Sequence, residues 1–296
     1  MHLSAPNSPY LTWLFLFLFI NLFSLSLSDS DPRISQAGFF CDPIRAPGIS
    51  SIPTFTGLMQ NIVQLVNNNT WGVYHLNISN TTAQMYGLAQ CYQDLTNTDC
   101  QLCFAAGRNT LPSCLPAISG RIYLDGCFIR YDNYSFFNES TSPSDDNVNC
   151  SSSYGQAIGN RALEFNQSVG LMIDNVTKAA LSNGGFAIGE VNGVFGLAQC
   201  WKNLTNDGCR ECLEKASREV IGRCLPNREG RALNVGCYLR YSPVKFYNDG
   251  ERHGGSGLST AATIAIALSG GCLHHALTLC CLCRLHEMVK IQTKAQ

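Results

Sequence analysis

Residues 91–103 read CYQDLTNTDCQLC, and residues 200–212 read CWKNLTNDGCREC. Both carry the spacing C-x8-C-x2-C, and both are entered by the same four residues, Gly87-Leu88-Ala89-Gln90 and Gly196-Leu197-Ala198-Gln199. Outward from this core, one set of cysteines is Cys41, Cys91, Cys100, Cys103, Cys114 and Cys127; the other is Cys150, Cys200, Cys209, Cys212, Cys224 and Cys237. The offset between sets is 109 residues for the first four pairs and 110 for the last two, so one inserted residue separates the copies. Cys114-Leu115-Pro116 returns as Cys224-Leu225-Pro226, Gly120-Arg121 as Gly230-Arg231, and Gly126-Cys127-x-x-Arg130-Tyr131 as Gly236-Cys237-x-x-Arg240-Tyr241. Six matched spacings with matched neighbours mean one structural unit written twice.

Sixteen cysteines in 296 residues point to an oxidising compartment. An even count per copy predicts three bridges in each, among about fifteen connectivities that spacing alone leaves open. Each bridge across a loop of tens of residues contributes ~3–4 kcal/mol by the loop-entropy argument. The N-terminus agrees with export. Leu11 to Phe23 is apolar, and Ser26 and Ser28 stand at the small-residue positions of a cut before Asp29, so residues 1–28 read as a signal peptide. Asn68, Asn77, Asn80, Asn133, Asn138, Asn166, Asn175 and Asn203 each begin a glycosylation triplet. Asn149 begins another, but its middle residue is Cys150, a disulfide candidate. The net charge of −1, with 14% charged residues, gives no basic surplus for nucleic acid.

Phe55, Leu58, Met59, Ile62, Leu65 and Val66 recur at helical spacing after Pro53, and Leu171, Met172, Val176, Ala179 and Ala180 predict the matching helix of the second copy. Thr98-x-x-Gln101 fits a capping box and predicts a shorter helix carrying Cys103, with Cys212 on its counterpart. Arg121–Tyr131, Ala232–Tyr241 and the runs ending in GLAQC read as strands. Residues 33–140 and 150–248 are therefore two α+β domains, with 141–149 as a linker holding Pro143 and the acidic pair Asp145-Asp146.

The cysteine spacing and its neighbours resemble the plant stress-antifungal, or ginkbilobin-homologous, family over about Phe40 to Tyr247. Two such domains behind a signal peptide form the ectodomains of cysteine-rich receptor-like kinases; they also form secreted repeat proteins and plasmodesmata-located proteins. The segments after Gly126 and Gly236 are most similar to the receptor-kinase branch. The resemblance implies a five-stranded antiparallel sheet with two helices per domain. It also implies bridges Cys41–Cys114, Cys91–Cys100, Cys103–Cys127, Cys150–Cys224, Cys200–Cys209 and Cys212–Cys237. The ginkgo member of the family binds mannose through an Asn, an Arg and a Glu. Carried over by position, these become Asp42, Arg121 and Asp132 in the first copy and Ser151, Arg231 and Ser242 in the second. The arginines persist while their partners change; Asp42, Arg121, Asp132 and Arg231 are the candidate ligand-binding residues.

Nothing in the sequence is assembled for catalysis, and no cofactor or metal is expected. Cys100-x2-Cys103 and Cys209-x2-Cys212 sit among four further cysteines each, which favours structural bridging over a redox dithiol. Among the histidines only His75 lies inside a repeat. Gly254 to Cys283 holds no Lys, Arg, Asp or Glu, and 258–283 is long enough to be a transmembrane helix, with 284–296 as a short cytosolic tail. The receptor-kinase branch continues into a kinase, which this chain is expected to lack. These features predict a non-enzymatic extracellular recognition module in stress or defence signalling, anchored at the plasma membrane or released to the apoplast. Its expected partners are an apoplastic ligand such as a mannose-type glycan, or receptor-like kinase ectodomains. The alternatives are a soluble antifungal mannose-binding lectin and a plasmodesmata-located membrane protein.

Overall fold

The computed structural model describes residues 32–45, 51–77 and 84–249, and in it the repeats trace the same path. The first runs β1 (Gln36–Cys41), α1 (Ser51–Asn69), β2 (Trp71–Asn77), β3 (Gln84–Cys91), α2 (Asn97–Thr110), β4 (Gly120–Leu124) and β5 (Cys127–Asp132). The second runs β6 (Asn147–Gln156), α3 (Asn160–Ser182), β7 (Phe186–Val191), β8 (Val194–Cys200), α4 (Asn206–Cys224), β9 (Asn227–Leu233) and β10 (Cys237–Ser242). Each forms one antiparallel five-stranded sheet, ordered β1-β4-β5-β3-β2 and β6-β9-β10-β8-β7. The bridges join first to fifth, second to third and fourth to sixth cysteine in both repeats. This is the pairing that the family resemblance implies. The signal peptide (1–28), the candidate span (258–283), the tail (284–296) and Asn80 lie outside the described residues. Among the described residues no helix is long and apolar enough to cross a membrane.

Helix α1 buries Phe55, Leu58, Met59, Ile62 and Val66 against its sheet, as the period of 3.6 dictates. On α3 the buried stripe is Val169, Met172, Ile173, Val176 and Ala180, while Leu171 and Ala179, expected inside, face solvent. The rotation follows from Gly196. A Cβ there would lie 1.6 Å from Met172 Sδ, so the bare glycine receives Met172 and fixes which side of α3 meets the sheet. Helix α2 also starts earlier than the Thr98 box suggested. Thr96 is its cap, its hydroxyl accepting from Asp99 N at 3.1 Å, and Thr205 caps α4 by accepting from Gly208 N at 3.2 Å. That earlier start puts Cys100 in the first turn, where it reaches Cys91.

Side chains alternate across each strand. Ile122, Ile129 and Tyr131 of the first sheet pack toward its helices, as do Ala198, Leu239 and Tyr241 of the second. The intervening residues form a third core that draws on both repeats: Leu88, Tyr92, Tyr123 and Phe128 with Leu197, Trp201, Leu233 and Tyr238. The sheets therefore pack face to face with helices outside, which is why β4, β5 and β10 are buried at every position. The contacts obey a pseudo-twofold. Phe128 stacks on Trp201 at 4.4 Å, and the equivalent pair, Tyr238 and Tyr92, meets at 4.8 Å. Gln90 Oε1 accepts from Lys202 N at 2.7 Å, while Gln199 Oε1 accepts from Gln93 N at 3.2 Å.

The motif GLAQC can now be read letter by letter. Gly admits the long helix, Leu joins the shared core, Ala faces the helices, Gln bonds across to the other repeat, and Cys closes a bridge. The segment 141–149 is only in part the linker expected. Asn147–Asn149 belong to β6, and Asp146 has a fully buried side chain that accepts from Val235 N at 2.8 Å and pairs with Lys215 at 2.8 Å.

Trp201 is 2% exposed and also donates its indole N–H to Val235 O at 2.6 Å. Truncation to alanine should cost about 3–5 kcal/mol. Denaturant unfolding of Trp201→Ala should remain one transition, shifted as a whole. Separate melting of the two repeats would contradict a shared core.

Candidate functional site

Register places Arg121 opposite Phe40 on one side and Arg130 on the other, on the face of the sheet that turns toward the second repeat. Its guanidinium lies over the Phe40 ring at 4.9 Å, donates to Asp145 Oδ1 at 2.8 Å and donates to Asp145 O at 2.7 Å. Asp42 caps its own turn, accepting from Ile44 N at 2.6 Å. Asp132 accepts from Arg130 at 2.9 Å and from Asn133 N at 2.9 Å. Among the described residues no hydrogen bond or ion pair joins Arg121 to Asp42 or Asp132. The second copy is equally committed. Arg231 donates through Nε and Nη2 to the two oxygens of Asp125, at 2.9 and 3.1 Å, and pairs with Glu229 at 3.1 Å.

Asp125 belongs to the first repeat and Arg231 to the second, so this contact is part of the seam. Arg240 joins it, 3.2 Å from Asp125 and 2.6 Å from Glu229, and Tyr238 donates its hydroxyl to Asp125 at 3.1 Å. Two carboxylates and two guanidiniums, each less than 10% exposed, make an electrically balanced buried cluster. Burial alone would push the Arg231 guanidinium down, but Tyr238 and Asp125 hold it above its ordinary range. Burial, with Asp125 beside it, pushes the Tyr238 phenol up. The position equivalent to Asp125 in the second repeat is Val235, so the cluster has no twin. The acids 145 and 146 stand in: Asp145 holds Arg121 as Asp125 holds Arg231.

Arg130 and Arg240 keep a shared role, lying 4.0 Å over Phe136 and Phe246 and fixing the segment after each sheet. Arg130 also pairs with Glu139 at 2.8 Å. Desolvation outweighs these contacts at Asp132 and pushes its carboxyl up to about 6.

The described surface also carries an open cleft of about 660 Å³ in the second repeat, where the end of β6 meets the start of α3. Arg161, Arg228 and one acid, Glu164, flank it, Phe165 and Leu171 form its apolar wall, and Ile158 stands at its rim, 81% exposed. Arg228 lies 5.9 Å over Phe165, and among the described residues neither arginine has a carboxylate within ion-pair reach. The sequence pointed to none of these residues, because they lie off the repeated motifs. The exposed arginine at the start of an amphipathic helix, Arg161, was the one available signal. His75 is exposed and stacks on Tyr86 at 4.2 Å, as a surface side chain. Cys100 and Cys103 bond to different partners, as do Cys209 and Cys212, so neither pair is a dithiol.

Paired six-cysteine α+β repeats, packed sheet to sheet and with their repeated arginines committed to internal partners, define a tandem disulfide-stapled module. The chain belongs to the salt stress response/antifungal family, which matches residues 44–134 and 149–243. It is 41% identical over 231 residues to cysteine-rich receptor-like protein kinase 42 of Arabidopsis thaliana, covering 77% of this chain and 34% of that protein. It is 29% identical over 167 residues to the antimicrobial ginkbilobin-2-like protein of Castanea crenata, covering 54% of this chain and 67% of the relative. The crystal structure of the tandem DUF26 ectodomain of Arabidopsis thaliana PDLP5 superposes with a TM-score of 0.59 at 23% identity, over 70% of this chain and 99% of that one. The chain spans 34% and 40% of the first two curated relatives it matches, both cysteine-rich receptor-like protein kinases.

Removing Asp125 would leave two buried guanidiniums to share the single carboxylate of Glu229, and Asp125→Ala should cost about 3–5 kcal/mol in denaturant unfolding. Asp132 should give a pH signature. Its folded value, about 6, lies above the ordinary 3.8, so the stability carried by its proton is complete below about pH 4 and lost as pH rises through 6. Wild type should therefore lose stability relative to Asp132→Asn between pH 4 and pH 6 and hold a constant difference above pH 7. A pH-independent difference across that range would contradict the shift.

Proposed function

We propose that this chain is the non-catalytic, extracellular recognition module of a plant cell-surface receptor-like protein, acting in stress or defence signalling as one fused two-repeat block. The observation that carries the reading is the tandem, sheet-to-sheet ectodomain itself, in a chain 41% identical to a receptor kinase across that region. A lectin-type site on the carried-over arginines is less well supported, because Arg121 and Arg231 are already bonded to Asp145 and Asp125. Recognition is better served by the outer surface, and the cleft beside α3 suits it. Its two guanidiniums next to Phe165 and Leu171 match an acidic peptide segment with an apolar residue, presented by a partner ectodomain. The chain is proposed to reach the plasma membrane, with the repeats outside.

The full chain, tagged and expressed in plant cells, should be cleaved by protease added to intact cells and should co-precipitate with a full-length cysteine-rich receptor-like kinase. Arg161→Glu with Arg228→Glu should reduce that capture about tenfold without moving the unfolding midpoint. A chain retained in the cytosol with reduced thiols would overturn the reading. Saturable binding of mannose, lost in Arg121→Ala, would assign a sugar instead.

A further inference from the structure

The triplet Asn203-Leu204-Thr205 has the form of a glycosylation acceptor, yet both of its defining residues have structural work. Thr205 caps α4 through its hydroxyl. Asn203 donates its side-chain amide to Phe137 O, on the segment that leaves the first repeat's sheet, so it holds the two repeats together. Its Oδ1 is sealed from solvent. The first repeat contains the same triplet in phase, Asp94-Leu95-Thr96, which no glycosyltransferase reads. There Thr96 caps α2, while Asp94 takes Arg33 at 2.7 Å and accepts from Asn248 N at 3.0 Å, clamping the segment that leaves the second sheet. Both repeats thus carry a clamp followed two residues later by a cap. The glycosylation triplet arises where the clamp happens to be asparagine.

We infer that Asn203 is a seam residue that bears no glycan in the folded protein, and that the same exclusion holds at Asn149. Attachment forms a bond from sugar C1 to Nδ2; the bond from C1 to the diphosphate of the lipid-linked donor breaks, and Nδ2 gives up one proton. The product is a secondary amide, whose preferred geometry sets C1 on the same side as Oδ1, the opposite arrangement costing ~2.5 kcal/mol. At Asn203 that side is the sealed one, so the first sugar ring would start inside the contact between repeats. Asn149 is committed in the same way: its Nδ2 donates to Ala37 O of the other repeat at 2.6 Å, and the next residue, Cys150, is bridged to Cys224. By contrast Asn68, Asn77, Asn133, Asn138 and Asn175 are exposed. Glycans therefore belong on the outer surface and are kept off the seam.

The full chain should be purified from the secretory pathway of plant cells under native conditions and deglycosylated in heavy-oxygen water, which marks each formerly glycosylated Asn as a heavy Asp. Peptide mass spectrometry should find the mark at Asn133, Asn138 and Asn175, and unmodified Asn at 203 and 149. A mark at Asn203 in most of the folded molecules would overturn the inference. In a second arm, Asn203→Gln should keep the gel mobility of wild type and lower the thermal midpoint by about 3 °C. Asn133→Gln should do the reverse. A mobility gain in Asn203→Gln equal to that in Asn133→Gln would also overturn it, and if Asn203→Gln fails to fold, the wild-type peptide map still decides.

Discussion

A sheet that carries helices on one face leaves its other face to be covered, and here each repeat covers the other. Phe128 on Trp201 and Tyr238 against Tyr92 supply the aromatic centre of that contact. Large stacked rings bury much area with few torsions to immobilise, so they suit a seam that must be formed once and kept. Around them, polar groups are satisfied across the seam rather than by water, from the paired glutamines to the cluster of Asp125, Glu229, Arg231 and Arg240. A balanced buried cluster adds little net stability over an apolar one of the same shape. It ties a carboxylate of the first repeat to two guanidiniums of the second, so sliding one sheet along the other would separate buried charges.

That constraint decides what the repeated arginines can do. In an isolated domain this face of the sheet would be open to a ligand. In the tandem arrangement Arg121 and Arg231 lie along the seam and are held by carboxylates from elsewhere in the chain. The same residue at the same place in the fold thus changes from a group that could meet a sugar to one that joins repeats. Surface left for recognition is on the helical layers and the edges, where the cleft between β6 and α3 keeps two guanidiniums without carboxylate partners among the described residues.

Much of the architecture was legible in the sequence because the repeat exposed it. Six cysteines in phase named the unit, and the strands around GLAQC and Gly-Cys-x-x-Arg-Tyr followed from their punctuation. The rotation of α3 was not legible. Met172, Val176 and Ala180 lie inside as expected, but Leu171 and Ala179 have the same core chemistry and face solvent, because the missing Cβ of Gly196 centres the contact on Met172. The cap at Thr96 was missed in favour of Thr98 because the box pattern ignores where Cys100 must lie. The seam was invisible for a related reason. Strands buried on both faces look like ordinary apolar strands, and an acid such as Asp125 gives no sign in sequence that its partners lie 106 and 115 residues away.

Native-state hydrogen exchange across β5 and β10 tests the shared seam most directly, since these central strands lie in different repeats and have one face each in the common core. If the repeats form one cooperative block, the slowest amides of both strands exchange only by global unfolding, with the same free energy and the same denaturant dependence. Exchange of one strand through an opening that leaves the other protected would show two independently folded domains and contradict the account.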